Sequence, residues 1–186
     1  MIKNKKLLWV TNTAIFTALL IVWQMATTPL GNTLITGPVV NLILIISVML
    51  CGLSSGLTVA VISPVMAKVF GIGPSSWMLI PFIIAGNIVL VLIWHLIGNR
   101  EINGSNITPR IIALILAALA KFSVLYFGIV KIAVPLILNL PEPQASLMSN
   151  IFSIPQLITA ALGGVLATLL LPLLEKAVNY SVKSGE

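Results

Sequence analysis

Charge is what this chain has least of. Only 8% of its residues are Asp, Glu, Lys or Arg, against about 25% in an ordinary soluble domain. So few charges cannot build a water-facing surface, and an exterior that meets lipid is expected. Aspartate is absent, and the four acids are Glu101, Glu142, Glu175 and Glu186. All four are placed in links or near helix ends. That leaves no carboxylate inside an apolar run to hold a coupling proton or sodium ion. A single cysteine, Cys51, excludes an intrachain disulfide and a cysteine-based metal cluster. The only histidine is His95, and no HExxH motif or intramembrane carboxylate pair occurs. Metal chemistry and general acid–base catalysis therefore lack their parts, and neither enzymatic activity nor a cofactor held by this chain is expected. No GxxxxGK[ST] loop is found, which excludes ATP binding by that route. Uphill transport would have to be driven by a partner.

What is present is apolar. Hydrophobic residues make up 59% of the 186, with a mean hydropathy of +1.14 and a formal net charge of +6. The length fits one domain, residues 1–186, with no room for a separate soluble module. The basic residues lie mainly near the ends of apolar runs, where membrane proteins keep them for orientation. No basic patch interleaved with aromatics occurs, so a nucleic-acid partner is not expected.

A bilayer-crossing helix needs about 20 mostly apolar residues. Six segments meet or approach this: Leu7 to Thr27, Val39 to Leu53, Ser55 to Phe70, Ser76 to Ile97, Pro109 to Leu138 and Ile151 to Leu174. The second and third are short. Pro135 is expected to bend or end the fifth, and Pro155 and Pro172 lie near the ends of the sixth. The expected fold is all-α, an integral membrane bundle of six transmembrane helices. The links are "TTPLGNTLITGP", the tight turn "CGLSSG", "GIGPSS", the polar "GNREINGSNITPR", and "NLPEPQASLMSN". The first apolar run is too long for a signal-peptide core, and no small-x-small cleavage site follows it, so it is read as a retained helix. Lys3, Lys5, Lys6, Arg100, Arg110, Lys176 and Lys183 fall on one side, against at most Lys68 and Lys131 on the other. Both termini are therefore expected to be cytoplasmic, in a multi-pass cell-membrane protein.

The informative residues are polar ones inside these runs. Lys121 lies deep in the fifth segment, with Lys131 about three turns further out and Lys68 in the outer third of the third segment. Such lysines either face a cavity or the bundle interior, or snorkel to the interface. No intramembrane acid is available to pair with them, and a ligand that brings negative charge is one solution. Asn87 sits within "IPFIIAGNIVLVLIWHL" and Tyr126 in the fifth segment. A buried amide or phenol needs a partner, which can be a ligand or another helix. Asn41, Trp77, Asn150, Gln156, Trp23 and Gln24 mark outer helix ends. Trp9 and Trp94 are read as members of an interfacial aromatic belt, and Trp77 as either belt or pocket wall. Small residues recur four apart at Ala14 and Ala18, at Ala113 and Ala117, and along Ala160, Gly164 and Ala167. Such faces let a second backbone approach closely.

The layout of six helices, this length, basic ends and a long outer first loop resembles the substrate-binding S component of an energy-coupling factor (ECF) vitamin transporter. The Ala14-x-x-x-Ala18 face resembles the motif by which S components dock on their membrane coupling protein. Val22 stands where a third small residue can follow. The run "TGPVVNLILIISVMLCGLSSGLTVAVISPVMA" is similar to the second and third helices of that family. The resemblance implies a prokaryotic membrane subunit that binds one water-soluble vitamin or precursor in an outward pocket. It further implies a transmembrane coupling protein and two ATPase partners that bind the ATP. The pocket candidates are Lys121 as anchor, Trp77 as stacking wall, and Asn87, Tyr126, Asn150, Gln156 and Asn41. Ala14 and Ala18 are the docking candidates. Lysines inside apolar runs that hold no acid favour an anionic cargo such as pantothenate, while a neutral pyrimidine stays open. The alternative is a structural or assembly subunit of a membrane complex with no ligand of its own.

Overall fold

The computed structural model describes residues 5–74, 76–102 and 104–183. Lys3 and Glu186 of the sequence reading lie outside the described residues. The long apolar runs fold as α-helices because a helix satisfies every internal backbone polar group within the segment. Helix α1 spans Lys5–Thr27 and is followed by one 3-10 turn, Thr28–Leu30. Gly31, in the left-handed region at φ 63°, ends that turn. Asn32 then starts α2, Thr33–Cys51, its side-chain oxygen accepting from the Leu34 N–H at 2.9 Å. A single residue, Gly52 at φ 85°, separates α2 from α3, Leu53–Val69. Helix α4, Ile80–Ile93, continues as a π-helical turn over Trp94–Gly98. Helix α5, Ile107–Leu125, continues as π-helix over Tyr126–Leu138. A short α6, Glu142–Ile151, precedes the 30-residue α7, Ile154–Lys183.

The described residues form an all-helical fold, and among them five helical stretches are long and apolar enough to cross a membrane. Leu53–Val69 is a shorter apolar helix. Four details differ from the sequence reading. Helix α2 begins six residues earlier than Val39, because Asn32 caps it, and Pro38 is accommodated inside the helix. Pro135 neither ends nor interrupts the fifth helix; the helix is in the wider π form there and ends at Asn139, a left-handed residue at φ 44°. Pro172 is likewise accommodated inside α7. The "NLPEPQASLMSN" link contains α6, whose Pro143 stands in the first turn, where a missing N–H is harmless.

Helix α2 forms the centre of the bundle. It packs most extensively on α7, and also contacts α1, α3 and α4. The α2–α7 crossing is tight at two glycines. A Cβ on Gly163 would stand 2.6 Å from Asn41 Cβ and 2.7 Å from the Pro38 carbonyl oxygen. One on Gly37 would stand 2.6 Å from Thr159 Cγ2. The main core gathers Leu20, Leu44, Val59, Leu90, Ala117 and Leu171 with their neighbours. A smaller core joins Leu79, Leu125, Ile129 and Phe152 at one end of the bundle.

Trp94 belongs to the main core at 1% exposure, which corrects its assignment to an interfacial belt. Room for the indole comes from Gly98, whose Cβ would lie 2.8 Å from Trp94 Cε3, with Ala113 alongside. The outer surface is apolar: Leu136, Leu169, Leu173 and Phe127 are among many large hydrophobics left exposed. Contiguous patches of that kind are rare on proteins that face water alone, and this exterior is compatible with a membrane-embedded protein.

Candidate functional site

Lys121 is the natural place to start, because a buried ammonium needs partners. It lies near the middle of the continuous α5 helix and is 4% exposed. Its Nζ donates to Asn41 Oδ1 of α2 at 2.6 Å and to Asn87 Oδ1 of α4 at 2.8 Å. Both asparagines are buried. Lysine has only donors, so each amide must turn its oxygen toward Nζ. The Asn87 Nδ2 group then faces α3 and makes a long contact to the Ala60 carbonyl at 3.5 Å. Three helices distant in sequence thus converge on one ammonium. Each asparagine stands roughly two turns inside its helix, counted from Thr33 and from Ile80.

These residues line a cavity of about 160 Å³, or about 660 Å³ with its open mouth included. Gln24, Thr36, Ser63, Ile83, Phe152 and Gln156 line it as well. The lining comes from the C-terminal part of α1, the start of α2, the second half of α3, the start of α4, the second half of α5 and the start of α7. The cavity therefore lies toward the end of the bundle at which α2, α4 and α7 begin. Among the described residues no carboxylate lines the cavity. Two amide oxygens supply dipoles but no formal charge, so the site carries the positive charge of Lys121 whenever that amine is protonated. Two of its three donors are used by the asparagines, which leaves one for the cavity.

Other polar groups tie the mouth together. Trp23 Nε1 donates to the Thr36 carbonyl at 3.3 Å, and Thr36 Oγ1 donates to Thr27 Oγ1 at 2.8 Å. These bonds join the end of α1 to the start of α2 across the intervening turn. Gln156 Nε2 donates to the Ile151 carbonyl at 3.2 Å. Gln24 Oε1 is buried with no hydrogen-bond partner.

Of the seven pocket candidates, the structure brings together Lys121, Asn87, Asn41 and Gln156. It does not bring in the other three. Trp77 is 56% exposed, with Lys68 Nζ 6.0 Å from its ring centroid. Tyr126 is half-buried on α5, stacked on Phe122 at 5.5 Å, with Lys131 Nζ 5.4 Å from its ring centroid. Asn150 is exposed near the end of α6, and its carbonyl accepts from Ser153 Oγ. Sequence reasoning did not select Ser63, Thr36 and Phe152, which carry no signal of their own. It noted Gln24 as polar at a helix end, which was the available clue.

The three small-residue faces part company. Ala113 and Ala117 are buried, as are Ala160, Gly164 and Ala167, all inside the bundle. Ala14 and Ala18 are exposed and line a shallow apolar groove with Trp9, Thr17 and Ile62, between α1 and α3. Compared with family models, curated proteins and solved structures, the chain gives no significant match to any of them.

Proposed function

We propose that this protein belongs to the class of membrane-embedded solute-binding proteins, with a cargo site in one half of the bundle. Within that class, the reading we favour is the S component of an ECF-type importer for a water-soluble vitamin or precursor. The observation that carries it is the buried Lys121 at the cavity wall, held by two amide oxygens and lacking a carboxylate partner there. An anionic cargo would supply the missing charge through a charge-assisted hydrogen bond.

The cavity size supports a small cargo, since an enclosed apolar cavity of about 150 Å³ holds a molecule the size of benzene. A carboxylate such as pantothenate could place its charged end at Lys121 and its remainder in the mouth. The distribution of basic residues favours cytoplasmic termini, and in that orientation the mouth would face the outer side. Support for the partner assignment is the uncovered groove at Ala14 and Ala18, which is where the coupling protein would dock. The ATP would be bound by two partner ATPases, and this chain would perform no catalysis.

The test is equilibrium binding of a vitamin panel to detergent-purified protein. A submicromolar acid is expected, and Lys121→Ala should weaken it about ten-fold or more. A panel with no ligand tighter than about 1 μM (about −8 kcal/mol) would overturn the reading and leave the assembly-subunit alternative.

A further inference from the structure

We propose that a second polar cleft, at the end of the bundle opposite the cargo cavity, is a binding site for a phosphate group. It measures about 190 Å³ and is lined by Gly98, Asn99, Arg100, Asn106, Arg110 and Glu175. The end of the α4 π turn, the start of α5 and the last third of α7 meet there.

Arg110 is 3% exposed. One terminal nitrogen donates to Glu175 Oε1 at 2.6 Å. Its Nε, also a donor, is buried with no partner. An orphaned buried donor is costly and asks for an acceptor. Glu175 balances Arg110 in formal charge, and Arg100, exposed on the same cleft, is then in excess. Asn106 stands at the N-cap of α5 but makes no capping bond with its side chain, so its amide is free to face the cleft. The start of α5 adds partial positive charge.

Two guanidinium groups and two amides thus surround one space from different directions. A planar carboxylate is served by a single guanidinium fork. A tetrahedral phosphate, with acceptors on several sides, suits donors spread over two elements. The phosphate could be free in solution or belong to the headgroup of an anionic lipid. The site does not depend on the cargo reading, because none of its residues lines the cargo cavity.

The experiment uses the full chain, purified and delipidated in detergent, in native mass spectrometry. The probes are phosphatidylglycerol, a diacylglycerol of the same chains, and inorganic phosphate. At least one phosphate-bearing probe should bind, and Arg100→Gln should weaken it about ten-fold without moving Tm. Phosphatidylglycerol alone points to the headgroup; inorganic phosphate, with or without the lipid, points to the free ion. Three outcomes would overturn the site: neither phosphate probe binds; diacylglycerol matches phosphatidylglycerol while inorganic phosphate does not bind; or Arg100→Gln and Asn106→Ala both leave affinity unchanged.

Discussion

Lys121 fixes the orientation of both of its asparagine neighbours. An ammonium accepts no hydrogen bond, so Asn41 and Asn87 must each present oxygen at 2.6 and 2.8 Å. This makes Asn87 a sensitive probe of what the charge is for. Asn87→Leu removes one of two acceptors from a buried cation and should cost about 1–3 kcal/mol, seen as a lower Tm in detergent. Asn87→Asp keeps the shape but supplies a carboxylate to Lys121. Its Tm should hold or rise while the affinity for an anionic cargo falls about ten-fold or more. If Asn87→Asp binds an acid as tightly as the parent, Lys121 is not the anchor. The sequence showed that Lys121 and Asn87 needed partners, because polar groups in apolar runs rarely stay alone. It could not show that they partner one another, since that depends on the rotation of three helices about their axes.

At the scale of the element, the α2–α7 crossing holds the site in shape. Gly163 faces Asn41 Cβ and the Pro38 carbonyl, whereas Gly164 faces Leu114 Cγ at 2.8 Å. A backbone carbonyl cannot yield, but a leucine side chain can change rotamer. Gly163→Ala should therefore destabilise by about 1–3 kcal/mol, and Gly164→Ala by less. Because Asn41 is the residue displaced, Gly163→Ala should also weaken cargo binding. Equal Tm losses for the two variants would contradict this ordering. The long helices were legible as apolar runs between Gly and Pro breaks. Helix α6 was not, since Glu142, Pro143, Gln144 and Ser146 give it the composition of a loop. Trp94 was misplaced for a related reason. Interfacial tryptophan is a statistical preference, and the space that Gly98 leaves for the indole is a property of packing.

Across the whole molecule, two polar clefts lie toward opposite ends of a largely apolar bundle. One is the Lys121 cavity and the other the Arg110–Glu175 cleft, with exposed hydrophobics between. The groove at Ala14 and Ala18 lies on a third surface, away from both. Under the proposed importer function, Ala14→Leu with Ala18→Leu should abolish ATP-driven uptake in cells while leaving the Kd of the purified protein unchanged. Equal loss of uptake and binding would mean that these residues shape the cargo site instead. The all-helical, apolar character was legible from sequence, because apolar length acts at the scale of the whole chain. Which small-residue face stays uncovered emerged only once the helices were packed.

The convergence on Lys121 also bears on how the chain is made. Asn41 and Asn87 are synthesised before Lys121. In the proposed bilayer setting, a lysine near the middle of a helix costs roughly 2.5–3.5 kcal/mol at the insertion step. When α5 leaves the ribosome, α2 and α4 are already available with two carbonyl oxygens to receive the ammonium. The chain order thus lets the most polar helix enter last among the three, into company that lowers its cost. An α5 offered to the insertion machinery alone should integrate less efficiently than the same helix following α2 to α4.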